Sequence, residues 1–166
     1  MQKIDKNFFK TIYSSPIGEI YFIHKDEILY GLYFKNQKHF PKIVNDLEIK
    51  NSDFSKKISK WLNEYFKGNN PIIDFQISFN GTEFQNKIWK SLLNIKYGKT
   101  CSYKELAMKT HNNSSLMARA VANAVGKNPI SIIVPCHRII GSNGSLTGFA
   151  GGLEKKKYLL NLEQNN

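Results

Sequence analysis

Residues 128–140, NPISIIVPCHRII, constrain this chain more than any other segment. Residues 131–134 form a short apolar run that predicts a buried strand, and Pro135 follows it at once. Cys136 and His137 are therefore expected at the edge of a core. Burial raises the pKa of a cysteine, whereas an adjacent imidazole or a nearby cation lowers it, so this setting suits a nucleophile that ionises only with help. The residues alone leave Cys136 open between a nucleophile and an inert packing residue.

Helix-start signals precede this segment. The patterns at 82–85 (TEFQ) and 102–105 (SYKE) both have the form of a capping box, and each predicts the start of a helix. After a polar break at 111–114, residues 115–125 predict another helix, closed by Gly126 and kept slender by alternating alanines. Two short helices joined by a polar turn fit a helix-turn-helix, and an ordinary helical pair fits the same residues equally well.

The first half of the chain has a different residue pattern. Segments rich in Ile, Tyr and Phe predict three strands of an antiparallel meander, at 11–15, 18–25 and 27–34. Apolar residues then follow helical spacing from Phe54 to Phe66, and Gly68 stands where a C-terminal cap belongs. Because residues 1–70 gather no nucleophiles, acids or ligands, we expect them to act as a scaffold.

Residues 68–71, which include Pro and Asn, separate the two patterns and predict a domain boundary. We therefore predict an α+β fold with two domains. The N-terminal scaffold domain, residues 1–77, carries a small antiparallel sheet and a helix. The C-terminal domain, residues 78–166, is mostly helical and carries the helix-turn-helix and the short buried strand before the PCHR motif at 135–138.

Charge is spread unequally along the chain. The formal net charge is +11, from 24 Lys plus Arg against 13 Asp plus Glu. Residues 1–80 carry 12 Lys against nine acids, whereas residues 81–166 carry ten Lys and two Arg against four acids. Such a basic surface favours a polyanionic partner or an acidic membrane, and it places the anion-facing side in the second half.

The cysteines and histidines do not form a metal-binding pattern. Cys101 and Cys136 occur without a CxxC pair, and the four histidines lack metal-ligand spacing, so we expect reduced thiols and neither a metal nor another cofactor. The first residues have no apolar run of signal-peptide length, and no segment reaches the roughly 18 apolar residues of a membrane span. The sequence therefore predicts an intracellular, cytoplasmic protein without a membrane partner.

The PCHR block and its flanks, GSNG at 141–144 and TGFAGGL at 147–153, closely resemble the active-site block of the O6-alkylguanine-DNA alkyltransferases, also called methylated-DNA–protein-cysteine methyltransferases. The resemblance extends upstream through the motifs GTEFQ, IW, YGKT, SYKELA and ARAV, and it covers residues 81–164. The first half is similar to that family's small N-terminal domain in pattern only.

This resemblance implies a DNA-repair enzyme that moves one alkyl group from O6-alkylguanine in double-stranded DNA to Cys136, irreversibly and without turnover. His137 would act as the base through a bridging water, and Glu163 would orient its imidazole, as in a catalytic triad. Asn128 would tie the preceding turn to the cysteine region, and Tyr103 would hydrogen-bond the purine.

The resemblance also implies how DNA is held. Guanine O6 lies inside the duplex, so the nucleotide must be flipped out before a protein thiol can reach it. Arg119 matches the finger that fills the vacated stack from the minor groove, and Ala118 and Ala120 let the helix approach closely. Lys104 and Ser142 are the other expected DNA contacts.

A flexible wall over the flipped base is expected from residues 144–152, with Phe149, Ala150 and Gly151 in the base pocket. Phe149 stands where many relatives have Tyr, and Ala150 lacks a hydroxyl that some members carry. The segment 110–117 is about two residues longer than in several relatives. Arg138 is expected to form a structural ion pair rather than to contact substrate.

Two other functions fit parts of the sequence. A binding-only lesion sensor resembling the alkyltransferase-like proteins would have a non-nucleophilic residue where this chain has Cys136. A cysteine hydrolase using Cys136 and His137 would turn over an ester or amide and would give the basic helix no role. We expect a monomeric alkyltransferase, and the residues leave open whether O4-alkylthymine is also a substrate.

Overall fold

The N-terminal meander is present in the computed structural model, which describes residues 3–110 and 115–166. Its strands are antiparallel and consist of β1 (Phe9–Ser15), β2 (Gly18–Lys25) and β3 (Ile28–Phe34). Asp26 and Glu27 both have positive φ, 50° and 60°, in the two-residue turn between β2 and β3. This is the backbone geometry that matches the twist of a tight hairpin.

Two short edge strands make the complete sheet mixed rather than antiparallel as predicted. β4 (Glu48–Ile49) pairs in parallel with β1, and β5 (Gln76–Ile77) pairs in parallel with β3. The strand order is β4-β1-β2-β3-β5. A two-residue strand is too short to produce an alternating pattern, so neither edge strand was predictable from the sequence.

Helix α1 (Asp53–Phe66) lies where the apolar spacing predicted it. Ser52 and Ser55 form a reciprocal capping box at its start, and Gly68, with φ of 89°, follows its end. The buried face of α1 consists of Phe54, Ser55, Ile58, Trp61, Leu62 and Tyr65.

The described part of the second half contains four α-helices: α2 (Glu83–Leu92), α3 (Tyr103–Thr110), α4 (Ala118–Gly126) and α5 (Leu153–Gln164). Both expected capping boxes form, between Thr82 and Gln85 and between Ser102 and Glu105. The α+β class is thus confirmed. A 3-10 turn leads into α4, and the predicted polar break at 111–114 lies outside the described residues.

The prediction of a buried strand at 131–134 is wrong. Those residues form a turn in which Ile132 has φ of 70°, a strained value for a β-branched side chain. A single parallel bridge joins Ile130 to Leu32 of β3. The run is buried as expected, but an apolar run reports burial and does not specify conformation.

The PCHR motif follows this turn as a 3-10 turn, Cys136–Arg138. It continues into β7 (Ile139–Ile140), which pairs in parallel with β6 (Cys101–Ser102) just before α3. One hydrophobic core runs from Phe22 and Leu32 of the sheet through α1 to Ile88, Val134 and Leu159. The two halves of the chain are therefore packed on a common core. None of the helices between residues 3 and 110 or between 115 and 166 combines the length and apolar character needed to cross a bilayer.

Candidate active site

The turn that carries Cys136 is braced from inside by one side chain. Asn128 is buried, and its Nδ2 donates to the carbonyl oxygen of Val134 at 2.8 Å while its Oδ1 accepts from the backbone N–H of Ile130 at 3.0 Å. These hydrogen bonds take the place of the inter-strand backbone bonds that residues 131–134 would have made in a sheet. Asn128 therefore joins Val134 to Ile130 within the turn, and Cys136 follows this turn with 5% of its surface exposed.

Opposing effects act on the Cys136 thiol. Burial raises its pKa above the ordinary value, while the Asn128 side chain and the charge of Lys156 act in the other direction. Lys156 is fully buried on α5, and its Nζ donates to the carbonyl oxygens of Thr147, at 2.7 Å, and Ile139. Burial lowers the pKa of Lys156 to about 8. The thiol is protonated at neutral pH but lies beside groups that favour its thiolate.

His137 follows the thiol in the chain and is completely buried. Its Nε2 lies 2.6 Å from Oε1 of Glu163. Burial lowers the pKa of His137 more than Glu163 raises it, so the imidazole is neutral. Because Nε2 lies within hydrogen-bond distance of the Glu163 carboxylate, we assign the single imidazole proton to Nε2. Nδ1 is buried and has no hydrogen-bond partner among the described residues, which leaves its lone pair free to accept a proton.

Glu163, on α5, is the centre of the hydrogen-bond network. Its Oε2 accepts from Arg138 Nε at 2.8 Å and from the Gly98 N–H at 3.2 Å. Its Oε1 accepts from His137, from Arg138 Nη2 at 3.0 Å and from the Tyr65 hydroxyl at 2.7 Å. Burial opposes ionisation of Glu163, but the hydrogen bonds of His137 and Arg138, together with the positive charge of Arg138, outweigh it and hold the pKa of Glu163 well below the usual range. Arg138 thus forms the expected ion pair.

Sequence reasoning missed two residues of the site: Tyr65, which bonds Glu163, and Lys156, whose charge acts on the Cys136 thiol. Tyr65 lies on the apolar face of α1 and has the pattern of a core residue. Lys156 is the middle one of three consecutive lysines and has the pattern of a surface charge. Only tertiary packing distinguishes either residue, and the expectation that residues 1–70 are scaffold alone did not anticipate the contact between Tyr65 and Glu163.

A cavity of about 550 Å³ lies beside the predicted purine contact, Tyr103. The Tyr103 hydroxyl donates to the Thr147 carbonyl oxygen at 3.0 Å. Phe149 and Ala150 line the cavity, whereas Gly151 does not, and Phe149 packs edge-on against Phe34 of β3, with ring centroids 6.2 Å apart. A Cβ on Gly151 would meet the Phe34 ring at 2.8 Å, so this glycine permits the close approach of the two halves.

The residues predicted to touch DNA lie on three neighbouring segments. Arg119 and Ala120 are exposed on α4, while Ala118 is partly buried. Within residues 3–110 and 115–166, the Arg119 guanidinium has no ion-pair or hydrogen-bond partner, in contrast to Arg138. Lys104 is exposed on α3, and Ser142 is exposed in the turn after β7.

Cys101 and Cys136 are both free and buried. Within the described part of the chain, no three His, Cys, Asp or Glu side chains are grouped so that they could hold a metal ion. The chemical groups at the site are thus a thiol, a neutral imidazole with a free lone pair, a buried carboxylate and two buried cations.

Family models match almost the whole chain. Residues 8–79 match the model described as "6-O-methylguanine DNA methyltransferase, ribonuclease-like domain". Residues 83–165 match "6-O-methylguanine DNA methyltransferase, DNA binding domain".

Individual relatives agree with these models. A Methanosarcina mazei protein named methylated-DNA–protein-cysteine methyltransferase is 43% identical over 155 residues, which span 93% of this chain and 96% of that protein. A Mycobacterium tuberculosis protein of the same name is 40% identical over 157 residues, 95% of this chain and 92% of that one. The crystal structure of Mycobacterium tuberculosis OGT in complex with DNA superposes with a TM-score of 0.84 at 38% identity, covering 95% of this chain and 93% of that one. This chain therefore belongs to the methylated-DNA–protein-cysteine methyltransferase family.

Proposed function

We propose that this protein repairs alkylated double-stranded DNA by accepting one alkyl group from guanine O6 on the sulfur of Cys136. The observation that carries the proposal is that the buried Cys136 thiol is followed directly in the chain by a buried, neutral imidazole. Its Nδ1 has no hydrogen-bond partner among the described residues, and its Nε2 is fixed by Glu163. The relatives named methylated-DNA–protein-cysteine methyltransferase and the related complex with DNA support the reaction and the partner.

The chemistry is an in-line displacement. The Cys136 proton passes to His137 Nδ1 through a bridging water, and the imidazolium is stabilised by the ionised Glu163 carboxylate. The sulfur then forms a bond to the alkyl carbon as the bond from that carbon to O6 breaks, and the electron pair stays on the guanine oxygen. The proton on His137 returns through the same water to the guanine, which leaves in its neutral form.

Lys156 and Asn128 assist the first step. Both favour the thiolate of Cys136 against the effect of burial, and the buried site keeps bulk water from competing for the charge. Tyr103 lines the cavity, and its hydroxyl would exchange its bond to the Thr147 carbonyl oxygen for one to the purine, which would relieve the charge on the departing base.

The reaction is stoichiometric. Its product is a thioether on Cys136, and a thioether carries no good leaving group by which the site could be restored. Each protein molecule therefore removes one alkyl group and is consumed. We propose that it acts as a monomer, because one chain supplies every group that the reaction uses.

DNA binding requires that the target nucleotide leaves the helix, at a cost of a few kcal/mol. The exposed Arg119 side chain on α4 would fill the vacated stack, and the small Ala118 and Ala120 side chains would let the helix enter the minor groove. The flipped base would occupy the cavity against Phe149, with Ala150 and Gly151 supplying backbone contacts. Lys104 and Ser142 would contact the phosphates.

Intact-protein mass spectrometry tests this proposal. After mixing with a duplex that carries O6-methylguanine, the wild-type protein should gain the mass of one methylene, and Cys101→Ser should gain the same. Cys136→Ser should gain nothing. If the wild type binds the lesion tightly at unchanged mass, the protein is a lesion sensor and the transfer reaction is refuted.

A further inference from the structure

The N-terminal half of the chain reaches the catalytic network through one side chain. Tyr65, on α1, is 1% exposed, and its hydroxyl lies 2.7 Å from Glu163 Oε1 and 3.3 Å from His137 Nε2. It precedes His137 by 72 positions and Glu163 by 98 in the sequence. The fold therefore brings a phenol from the presumed scaffold to the carboxylate that orients the imidazole.

The position of this hydroxyl is fixed by packing. The Tyr65 ring stacks on Trp61 at 5.5 Å with an interplanar angle of 8°, and it meets the edges of Phe66 and Tyr97 at 5.5 and 6.2 Å. Burial raises the pKa of Tyr65 far above its ordinary value, and the negative charge of Glu163 adds to this effect. The hydroxyl stays protonated, so it acts as a permanent hydrogen-bond donor to the carboxylate.

Glu163 Oε1 accepts hydrogen bonds from His137, Arg138 and Tyr65, which lie on different segments of the chain. Arg138 donates to both carboxylate oxygens, through Nε and Nη2, and so constrains the plane of the carboxylate. His137 Nε2 needs one oxygen within about 3 Å and in line with its N–H. The Tyr65 hydroxyl supplies the additional constraint on that oxygen.

We propose that Tyr65 is a positioning residue for alkyl transfer, whose hydroxyl fixes Glu163 Oε1 in the orientation that accepts the His137 Nε2 proton. The inference rests on the proposed function, because it assigns Tyr65 to the reaction at Cys136. It extends that function by making the N-terminal half part of the catalytic machinery rather than a scaffold.

Tyr65→Phe keeps the ring packing and removes only the hydroxyl. We expect single-turnover alkylation of Cys136 to slow about tenfold with both an O6-methylguanine duplex and free O6-benzylguanine. The Kd for duplex DNA should stay within about twofold of wild type, because Tyr65 is buried and is not among the residues assigned to DNA contact. Tyr13→Phe is the matched control: it removes a hydroxyl that bonds Asn63 on the same helix at 2.7 Å, in an exposed setting. Its rate should be unchanged.

A double-mutant cycle separates positioning from general loosening of the fold. In a Glu163→Gln background, adding Tyr65→Phe should slow the reaction by less than about twofold, because the partner through which Tyr65 acts is already altered. If Glu163→Gln does not fold, His137→Gln serves as the background with the same expectation. Equal losses in both backgrounds, or a wild-type rate for Tyr65→Phe, would overturn the inference. Failure of the wild-type protein to take up the alkyl group would instead refute the proposed function.

Discussion

Glu163→Gln should destabilise the protein as well as slow its reaction. Glu163 has a fully buried side chain, and Arg138, its ion-pair partner, has a side chain only 10% exposed. Removal of one partner leaves the other charge buried and unpaired, which typically costs about 3–5 kcal/mol. Arg138 retains a hydrogen bond to the carbonyl oxygen of Ile95, so we expect the lower end, a loss of about 3 kcal/mol in the free energy of unfolding at pH 7.

The loss should depend on pH in a defined direction. Because the pKa of Glu163 is depressed in the folded state, its contribution is fully present above its unfolded pKa of about 4.3 and is lost as pH falls toward the folded value. At about pH 3.5 the wild type has lost roughly 1 kcal/mol of this contribution, whereas Gln does not titrate. The stability difference between the two proteins should therefore narrow from about 3 to about 2 kcal/mol.

Urea denaturation at both pH values, followed by tryptophan fluorescence, measures this difference. The observed m-values should be the same for the two proteins, so that the change in midpoint reports stability. A difference below about 1 kcal/mol at pH 7, or one that widens as the pH falls, would refute the account of Glu163 as an ionised, buried partner of Arg138.

Three further predictions concern DNA and the thiol. Arg119→Ala should slow transfer from duplex DNA far more than reaction with free O6-benzylguanine, while replacement of the exposed Lys127, directly after the same helix, by Ala should change neither rate much. Equal losses on both substrates would show that Arg119 does not assist flipping. Affinity for duplex DNA, measured by fluorescence anisotropy, should fall by about 100-fold or more between roughly 50 and 200 mM salt, and a flat response would contradict a basic DNA face. Lys156→Met should shift the pH–rate profile of Cys136 alkylation to higher pH by about one pH unit, because a cation that favours the thiolate is lost. Replacement of the exposed Lys157 by Met should leave the profile unchanged.

The helices were predictable because their signals are local. The capping boxes at Thr82 and Ser102, the apolar spacing of α1 and the glycine after it all lie within a few residues of the structure they specify. The meander was equally accessible because its strands are long and rich in β-branched and aromatic residues.

The missed features depend on contacts between distant segments. Residues 131–134 are as apolar as a buried strand, but the hydrogen bonds of Asn128 and the single bridge to Leu32 select a turn instead. Tyr65 has the pattern of an ordinary core aromatic until α1 is packed against Glu163. Lys156 has the pattern of a surface lysine until α5 turns it toward the carbonyl of Thr147. A single sequence carries no local signal for any of these choices.

The site residues were predictable to the extent that they share one motif. Cys136, His137 and Arg138 are consecutive, and Glu163 followed from the resemblance of the last helix. The structure brings His137, Arg138 and Glu163 into direct contact, with Asn128 holding the turn behind Cys136. The DNA-contact residues lie on exposed surfaces of α3, α4 and the turn after β7, and their roles remain predictions.

We propose that the sulfur of Cys136, and no other atom of the protein, accepts the alkyl group of guanine O6. The most direct measurement uses a duplex whose O6-methylguanine carries a deuterated methyl group, followed by tandem mass spectrometry of the digested protein. We expect one labelled methyl group per protein molecule, located on Cys136 and not on Cys101. No further methyl groups should be taken up when fresh duplex is added. Label on another residue, or repeated turnover of the duplex by one protein molecule, would contradict it.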